Sequence, residues 1–508
     1  MNRHLRQPCA WLLLALGLTH QLPAGASSPC ATWLGKSVAG ARISAAEWIE
    51  PDPEWRTPDT RASVRQPFCR LFARVDGTIG YELWLPAATR WNGRFLGAGV
   101  GGSAGTYNFV QLARGVERGF ATASTDAGHL TADAHWMLDA AAADNYAHRA
   151  VHRMTQTAKA IVGRYYGHGA DRSYFTGCSG GGREALKELQ RYPEDYDGIL
   201  AGAPGPNMPL LSVRHMLTGL WQQQSGITID DAAWSLVQQQ AIRSCDAIDG
   251  LVDGVVEDPR RCHVDLGALG CVPGQTDGCL SAERLALVRR IVAPVTDRDG
   301  QPLDTGLLPG VRSRPGPPPS LVMELFAQGV HHDPTWDAQS FDPAADLAAA
   351  YREQPELRAD DPDVRAFADR GGKLMIYQGW MDPSVIAQQA LDYYAHLVAR
   401  SGGAAKAARF ARLYMVPGMY HCAGGDSTDH FGGESGSVAD DPEHDALRAL
   451  VAWREQGRSP DRLIAAKLKD GQVIRTRPLC AYPKRAAYRG AGSADDAANF
   501  DCVAGDLP

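Results

Sequence analysis

The stretch Tyr174-Phe175-Thr176-Gly177-Cys178-Ser179-Gly180-Gly181-Gly182-Arg183 constrains this chain more than any other. A short β-prone run ends in glycine, a serine follows, and a helical pattern then runs through Leu189. G-x-S-x-G in that setting is a sharp strand-to-helix turn that lifts a serine hydroxyl above a sheet. The residue before the serine is a cysteine, and a second cysteine, Cys422, directly follows His421 far downstream. If the two cysteines bond, serine and histidine are drawn into one place.

The surroundings fit such a turn. Arg94 to Gly99, Phe120 to Thr125, Ser173 to Thr176 and Gly198 to Ala203 read as strands. Tyr146 to Tyr166 has helical spacing, with Ala150, Met154, Ala158, Ile161 and Val162 on one face. Strands alternating with helices predict an α/β fold, a mostly parallel sheet with helices on both faces. The texture changes after Pro204-Gly205-Pro206: strand-like segments are scarce until Lys373 to Tyr377 and Phe410 to Val416. The domain plan is therefore a core over residues 27–205 and 371–508, interrupted by a lid domain over 206–370. Insertions above strand carboxyl ends commonly cover the ligand crevice.

Residues 1–26 read as a secretory signal: Arg3 and Arg6, then an apolar run from Ala10 to Leu18, then Ala24-Gly25-Ala26 before Ser27. That run is well short of the ~18 residues a membrane span needs. The mature protein is expected to be secreted or periplasmic, with no membrane partner. A formal charge of −7 over 508 residues, with no basic stripe, argues against nucleic acid. Of 11 cysteines, Cys9 leaves with the signal, and an even set of ten points to five disulfides in an oxidising compartment. No cysteine or histidine spacing calls for zinc, and His331-His332 reads as a loop feature.

A serine hydroxyl needs a base within reach and a third group to orient that base. On sheets of this kind the chain order is serine, acid, histidine. Asp382 follows the strand Lys373 to Tyr377, and His421 follows the strand ending at Val416. Both lie just beyond strand carboxyl ends, where such folds place their chemistry. Ser179, Asp382 and His421 are the candidate triad. The residue after the nucleophile supplies an oxyanion donor, here Gly180. Asp126 and His129 read as core buttresses, and Trp380 as either an acyl-stacking or a packing residue.

With these residues in hand, the chain resembles the tannase and feruloyl esterase family over nearly its whole mature length. Cys178-Ser179, Asp382 and His421-Cys422 match the three parts of its CS-D-HC motif. Trp91-Asn92-Gly93-Arg94-Phe95, Thr125-Asp126-Ala127-Gly128-His129 and Arg477-Pro478-Leu479-Cys480-Ala481-Tyr482-Pro483 also look like family counterparts. The resemblance implies an α/β-hydrolase fold with a large inserted lid. It implies a Cys178–Cys422 disulfide, and pairs Cys30 with Cys69, Cys245 with Cys262, Cys271 with Cys279, and Cys480 with Cys502. Gly99 to Gly105 resembles the family's oxyanion loop, with Gly101 or Gly102 as the second donor.

Asp246, Asp249 and Asp253 crowd three carboxylates into eight residues, a pattern that needs a cation among them. The segment resembles a family calcium loop. That match adds the carbonyls of Leu251 and Val255 as ligands and implies a structural Ca2+ in the lid. The implied activity is a serine carboxylic-ester hydrolase acting through an acyl-enzyme on small esters of aromatic acids, feruloyl or other hydroxycinnamoyl, or galloyl. A terephthalate monoester is the alternative substrate, for which Arg312 and Arg314 of the lid are candidate cations, although both also read as solvated surface charges. Rivals of other classes are an inactive secreted binding protein and a peptidase on the same fold.

Overall fold

The computed structural model describes residues 29–52 and 54–505, so the expected signal segment lies outside the described residues. One ten-stranded sheet organises the chain: β1 (Ser37–Val38), β2 (Ala41–Ile49), β3 (Phe68–Val75), β4 (Ile79–Pro86), β5 (Arg94–Ala98), β6 (Ala121–Thr125), β7 (Arg172–Cys178), β8 (Gly198–Gly202), β9 (Lys373–Gly379) and β10 (Ala411–Val416). Their spatial order is β1-β2-β3-β4-β6-β5-β7-β8-β9-β10. From β6 to β10 every neighbouring pair is parallel. Parallel strands covered on both faces should be apolar throughout. β8 is apolar along its length, and β6 and β10, which carry hydroxyl residues and Arg412, are likewise buried at every position. The first four strands form an antiparallel extension that joins at β4–β6. The sequence reading had not resolved that extension.

The expected helix over Tyr146 to Tyr166 is present with one departure. Asn145–Arg149 is a π-turn, and the α-helix proper runs Ala150–Tyr166. A π-turn frees carbonyls that an α-helix would occupy. Here Arg183, itself only 2% exposed, supplies the missing donors. Its guanidinium donates to the carbonyls of Ala147 at 2.7 Å and Tyr146 at 2.9 Å.

Between β8 and β9 the chain leaves the sheet. Residues 203–372 add no strand to it among the described residues. They carry the helices Met208–Ser225, Asp231–Cys245, Ala282–Val292 and Pro343–Glu353. Ile229, Trp234, Leu280, Val288 and Ile291 give this segment a small core of its own. It is stapled by Cys245–Cys262 and Cys271–Cys279. Cys30–Cys69, Cys480–Cys502 and Cys178–Cys422 complete the five expected pairings. No helix among the described residues is long and apolar enough to cross a membrane.

Candidate active site

Ser179 closes β7 and opens the helix Gly180–Arg191, with φ 61° and ψ −122°. A non-glycine residue in that region is strained and is held there only by its surroundings. The surroundings are backbone against backbone. A Cβ on Gly177 would lie 2.5 Å from the Gly181 carbonyl oxygen, and one on Gly181 2.8 Å from the Gly99 carbonyl carbon. Strand, turn and the loop after β5 therefore cross at a spacing only glycine allows. The Ser179 amide is anchored to the Gly202 carbonyl at 3.0 Å.

The Cys178–Cys422 bond holds its Cα atoms 5.9 Å apart across 244 residues of sequence. It brings the loop after β10 to the serine turn. In that loop His421 Nδ1 donates to Asp382 Oδ2 at 2.8 Å. Asp382 is 1% exposed, and its other contacts fix it rigidly. Oδ1 accepts the amides of Ser384 at 2.8 Å and Val385 at 2.9 Å, and Oδ2 accepts Gln378 Nε2 at 3.0 Å. A buried carboxylate so bonded sets the imidazole tautomer and leaves Nε2 as the basic nitrogen.

The glycine loop packs against the same turn. A Cβ on Gly180 would lie 3.0 Å from the Val100 carbonyl oxygen and 3.2 Å from the Gly102 nitrogen. A Cβ on Gly101 would lie 3.7 Å from the Ser179 Cβ, so Gly101 is directly beside the serine. Among the described residues no protein acceptor takes the N–H of Gly101 or Gly102.

Three supports were not visible in the sequence. Glu184, one turn along the serine helix, accepts the Val100 amide at 3.0 Å. Burial pushes its carboxyl up to about 7. Tyr146 Oη donates to the Gly102 carbonyl at 2.8 Å, under the Arg183 guanidinium. His215, on Met208–Ser225, donates from Nε2 to the Ser384 carbonyl at 2.8 Å and so ties the insertion to the Asp382 loop. Burial lowers the His215 pKa. Charged residues in helical register read from sequence as solvated faces, which hid Arg183 and Glu184.

Other sequence candidates have structural partners. Asp126 accepts the amides of Gly80 and Gly128, and His129 bonds the Ser103 carbonyl and stacks on Trp136. Asp126 thus ties their shared loop to β4, and His129 ties it to the glycine loop after β5. Trp380 is buried beneath the Arg260 guanidinium. Arg312 is half-buried between Gln238 and the Tyr420 ring, whereas Arg314 is exposed. His331 and His332 face different carboxylates, Asp346 and Glu353.

The acidic loop is enclosed by the Cys245–Cys262 bond. Asp249, Leu251, Asp253 and Val255 line one small cavity together with Glu257 and Arg477. Asp246 is buried beside them and accepts the amides of Asp253, Gly254 and Val255. Burial first, then the charges of Asp253 and Asp246, raise the Asp249 carboxyl. Among the described residues no hydrogen bond reaches the carbonyls of Leu251 and Val255. Crowded carboxylates with two free carbonyls are a donor set that fits a hard cation. Arg477, which pairs with Asp253, and Glu257, pushed up to about 7 by burial, complete the surroundings.

The family described as tannase and feruloyl esterase has a model that matches residues 63–310 and 321–503. An uncharacterised esterase of Xanthomonas campestris is 35% identical, over 94% of this chain and 92% of its own. A probable feruloyl esterase B-1 of Aspergillus flavus is 32% identical over 89% of each chain. The crystal structure of feruloyl esterase B from Aspergillus oryzae superposes with a TM-score of 0.85 at 28% identity, covering 92% of this chain and 98% of that one.

Glu184 generates a prediction with a definite sign. Its folded pKa, about 7, lies above the ordinary 4.5, so the folded state holds a proton that the unfolded state has lost. Its contribution to stability is therefore full below 4.5 and is lost as pH rises towards 7, at up to about 1.4 kcal/mol per pH step. Glu184→Gln is expected to flatten the pH dependence of urea unfolding between pH 5 and pH 8 relative to wild type. An unchanged dependence would show that Glu184 does not titrate there.

Proposed function

The chain belongs to the tannase and feruloyl esterase family and is a carboxylic ester hydrolase; from that premise, we propose that it cleaves esters of aromatic acids through a serine acyl-enzyme. The observation that carries the mechanism is the buried Asp382–His421 pair, joined to the Ser179 turn by the Cys178–Cys422 bond. His421 Nε2 takes the Ser179 hydroxyl proton as the oxygen attacks the ester carbonyl. Asp382 holds the imidazole tautomer and balances the imidazolium. The N–H groups of Gly180 and of Gly101 or Gly102 face the developing oxyanion, Gly101 being the nearer to Ser179. Protonated His421 then gives its proton to the leaving alcohol, and the acyl group remains on Ser179. Water, deprotonated by the same imidazole, releases the acid and restores the serine.

Residues 206–370 act as the lid over this site, tied down by the contact from His215 to Ser384. The acyl group is feruloyl, another hydroxycinnamoyl, or galloyl. Arg312 favours a second reading, a terephthalate monoester, because it is a half-buried cation against Tyr420, the neighbour of His421. Asp246, Asp249 and Asp253, with the carbonyls of Leu251 and Val255, hold a structural Ca2+ in the lid. The protein is exported by its N-terminal signal, a reading supported by five disulfides.

Ser179→Ala is expected to cut turnover of a p-nitrophenyl ester by at least about a thousandfold without loss of fold; retained turnover would remove the serine from the mechanism. Comparing kcat/KM on methyl ferulate, methyl gallate and the terephthalate monoester, the first two should lead, and a lead for the third would select the Arg312 reading. Cys178→Ala with Cys422→Ala should leave a folded chain with little esterase activity, and near wild-type turnover would contradict the tether. Chelation should lower Tm by several degrees, restored by added Ca2+; an unchanged Tm would overturn the calcium assignment.

A further inference from the structure

At the far end of the serine helix, remote from its N-terminal turn, three elements converge. Glu188 comes from Gly180–Arg191, His152 from Ala150–Tyr166, and Asp195 from the link into β8. One imidazole nitrogen and one oxygen from each carboxylate lie within 4.8 Å of one another, the one such cluster of three among the described residues. His152 Nδ1 is 2.6 Å from Asp195 Oδ2. Glu188 is 1% exposed, and its Oε2 is buried with no hydrogen-bond partner. A buried carboxylate oxygen without a donor is costly and needs either a proton or a cation.

From this geometry we propose that His152, Glu188 and Asp195 form a second metal site, for a zinc-class divalent ion. One imidazole and two carboxylates supply the nitrogen and oxygen donor types that zinc accepts. The ion replaces the proton between His152 and Asp195 and neutralises the buried Glu188 carboxylate. His152 and Asp195 are 20% and 13% exposed at their side chains, so the ion enters from solvent while Glu188 forms the floor. The imidazole plane is already set. Tyr192 stacks on His152 at 3.7 Å with the rings 7° apart, and its hydroxyl is held 2.6 Å from His148 Nδ1. Lys159, whose ammonium donates to the Asp195 carbonyl, is a cation already present beside the two carboxylates. Burial, then the charges of Asp195 and Glu184 and a carboxyl–carboxylate hydrogen bond with Asp195, hold Glu188 well above the ordinary carboxyl range, so a proton shared between the two carboxyls is what the ion would displace. An ion here would clamp the end of the serine helix to its neighbour and to the strand that follows.

The test is equilibrium dialysis of the full chain against Zn2+ in calcium-containing buffer, which keeps the acidic loop loaded. One equivalent should bind, and Glu188→Gln and His152→Gln should each weaken it about tenfold or more. Asp195→Asn, at a partly exposed position like His152, should do the same and serves if the buried Glu188→Gln folds poorly. His444→Gln, which removes an ordinary surface imidazole–carboxylate pair, should leave it unchanged. X-ray absorption of the loaded protein should show nitrogen and oxygen ligands without sulfur. No zinc bound by the wild type, or zinc bound equally by the three site variants, would overturn the site. Glu188 and Asp195 would then share only a proton.

Discussion

The Cys178–Cys422 bond is the constraint on which the site depends. β7 and β10 are separated by β8 and β9, three steps of about 4.8 Å across the sheet. Left to the sheet alone, the ends of these strands would be roughly 14 Å apart. The bond fixes a 5.9 Å Cα separation instead, so the loop after β10 must fold back over two strands to meet the serine turn. Closing 244 residues, the bond also removes on the order of 5 kcal/mol of unfolded-chain freedom in the chain-entropy model.

Around that tether the remaining groups are placed by backbone contact rather than by long side chains. Gly177, Gly181 and Gly99 let strand, turn and loop touch. Arg183 and Glu184, adjacent on the serine helix, reach in two directions, to the π-turn at Tyr146 and Ala147 and to the loop at Val100. Tyr146 closes the circuit at Gly102. A displacement of the serine helix would therefore move the glycine loop with it. The insertion joins this frame through His215, whose contact to Ser384 bears on the segment that donates two amides to Asp382.

The parts legible in the sequence were those marked by punctuation. Glycine and serine after a β-prone run located Ser179, and strand-then-loop patterns located Asp382 and His421. Resemblance to a known family, rather than spacing, paired the cysteines. Of the antiparallel strands that went unread, β4 is buried at every position and so shows no alternation, and β2 breaks its alternation at an irregularity between Ile43 and Ala45. The π-turn left no signal, since its residues keep the helical apolar period and the side chain that bonds its carbonyls, Arg183, lies 34 positions or more away. The contact of Arg477 with the acidic loop was missed for a similar reason: the two chain segments meet only in the fold.

The measurement that bears most directly on the account is labelling with an aryl phosphonate ester, a mimic of the tetrahedral intermediate, followed by peptide mapping. The account predicts one equivalent of adduct, on Ser179, formed at a rate that collapses in His421→Ala. An adduct on another residue, or full inhibition with Ser179 unmodified, would contradict it.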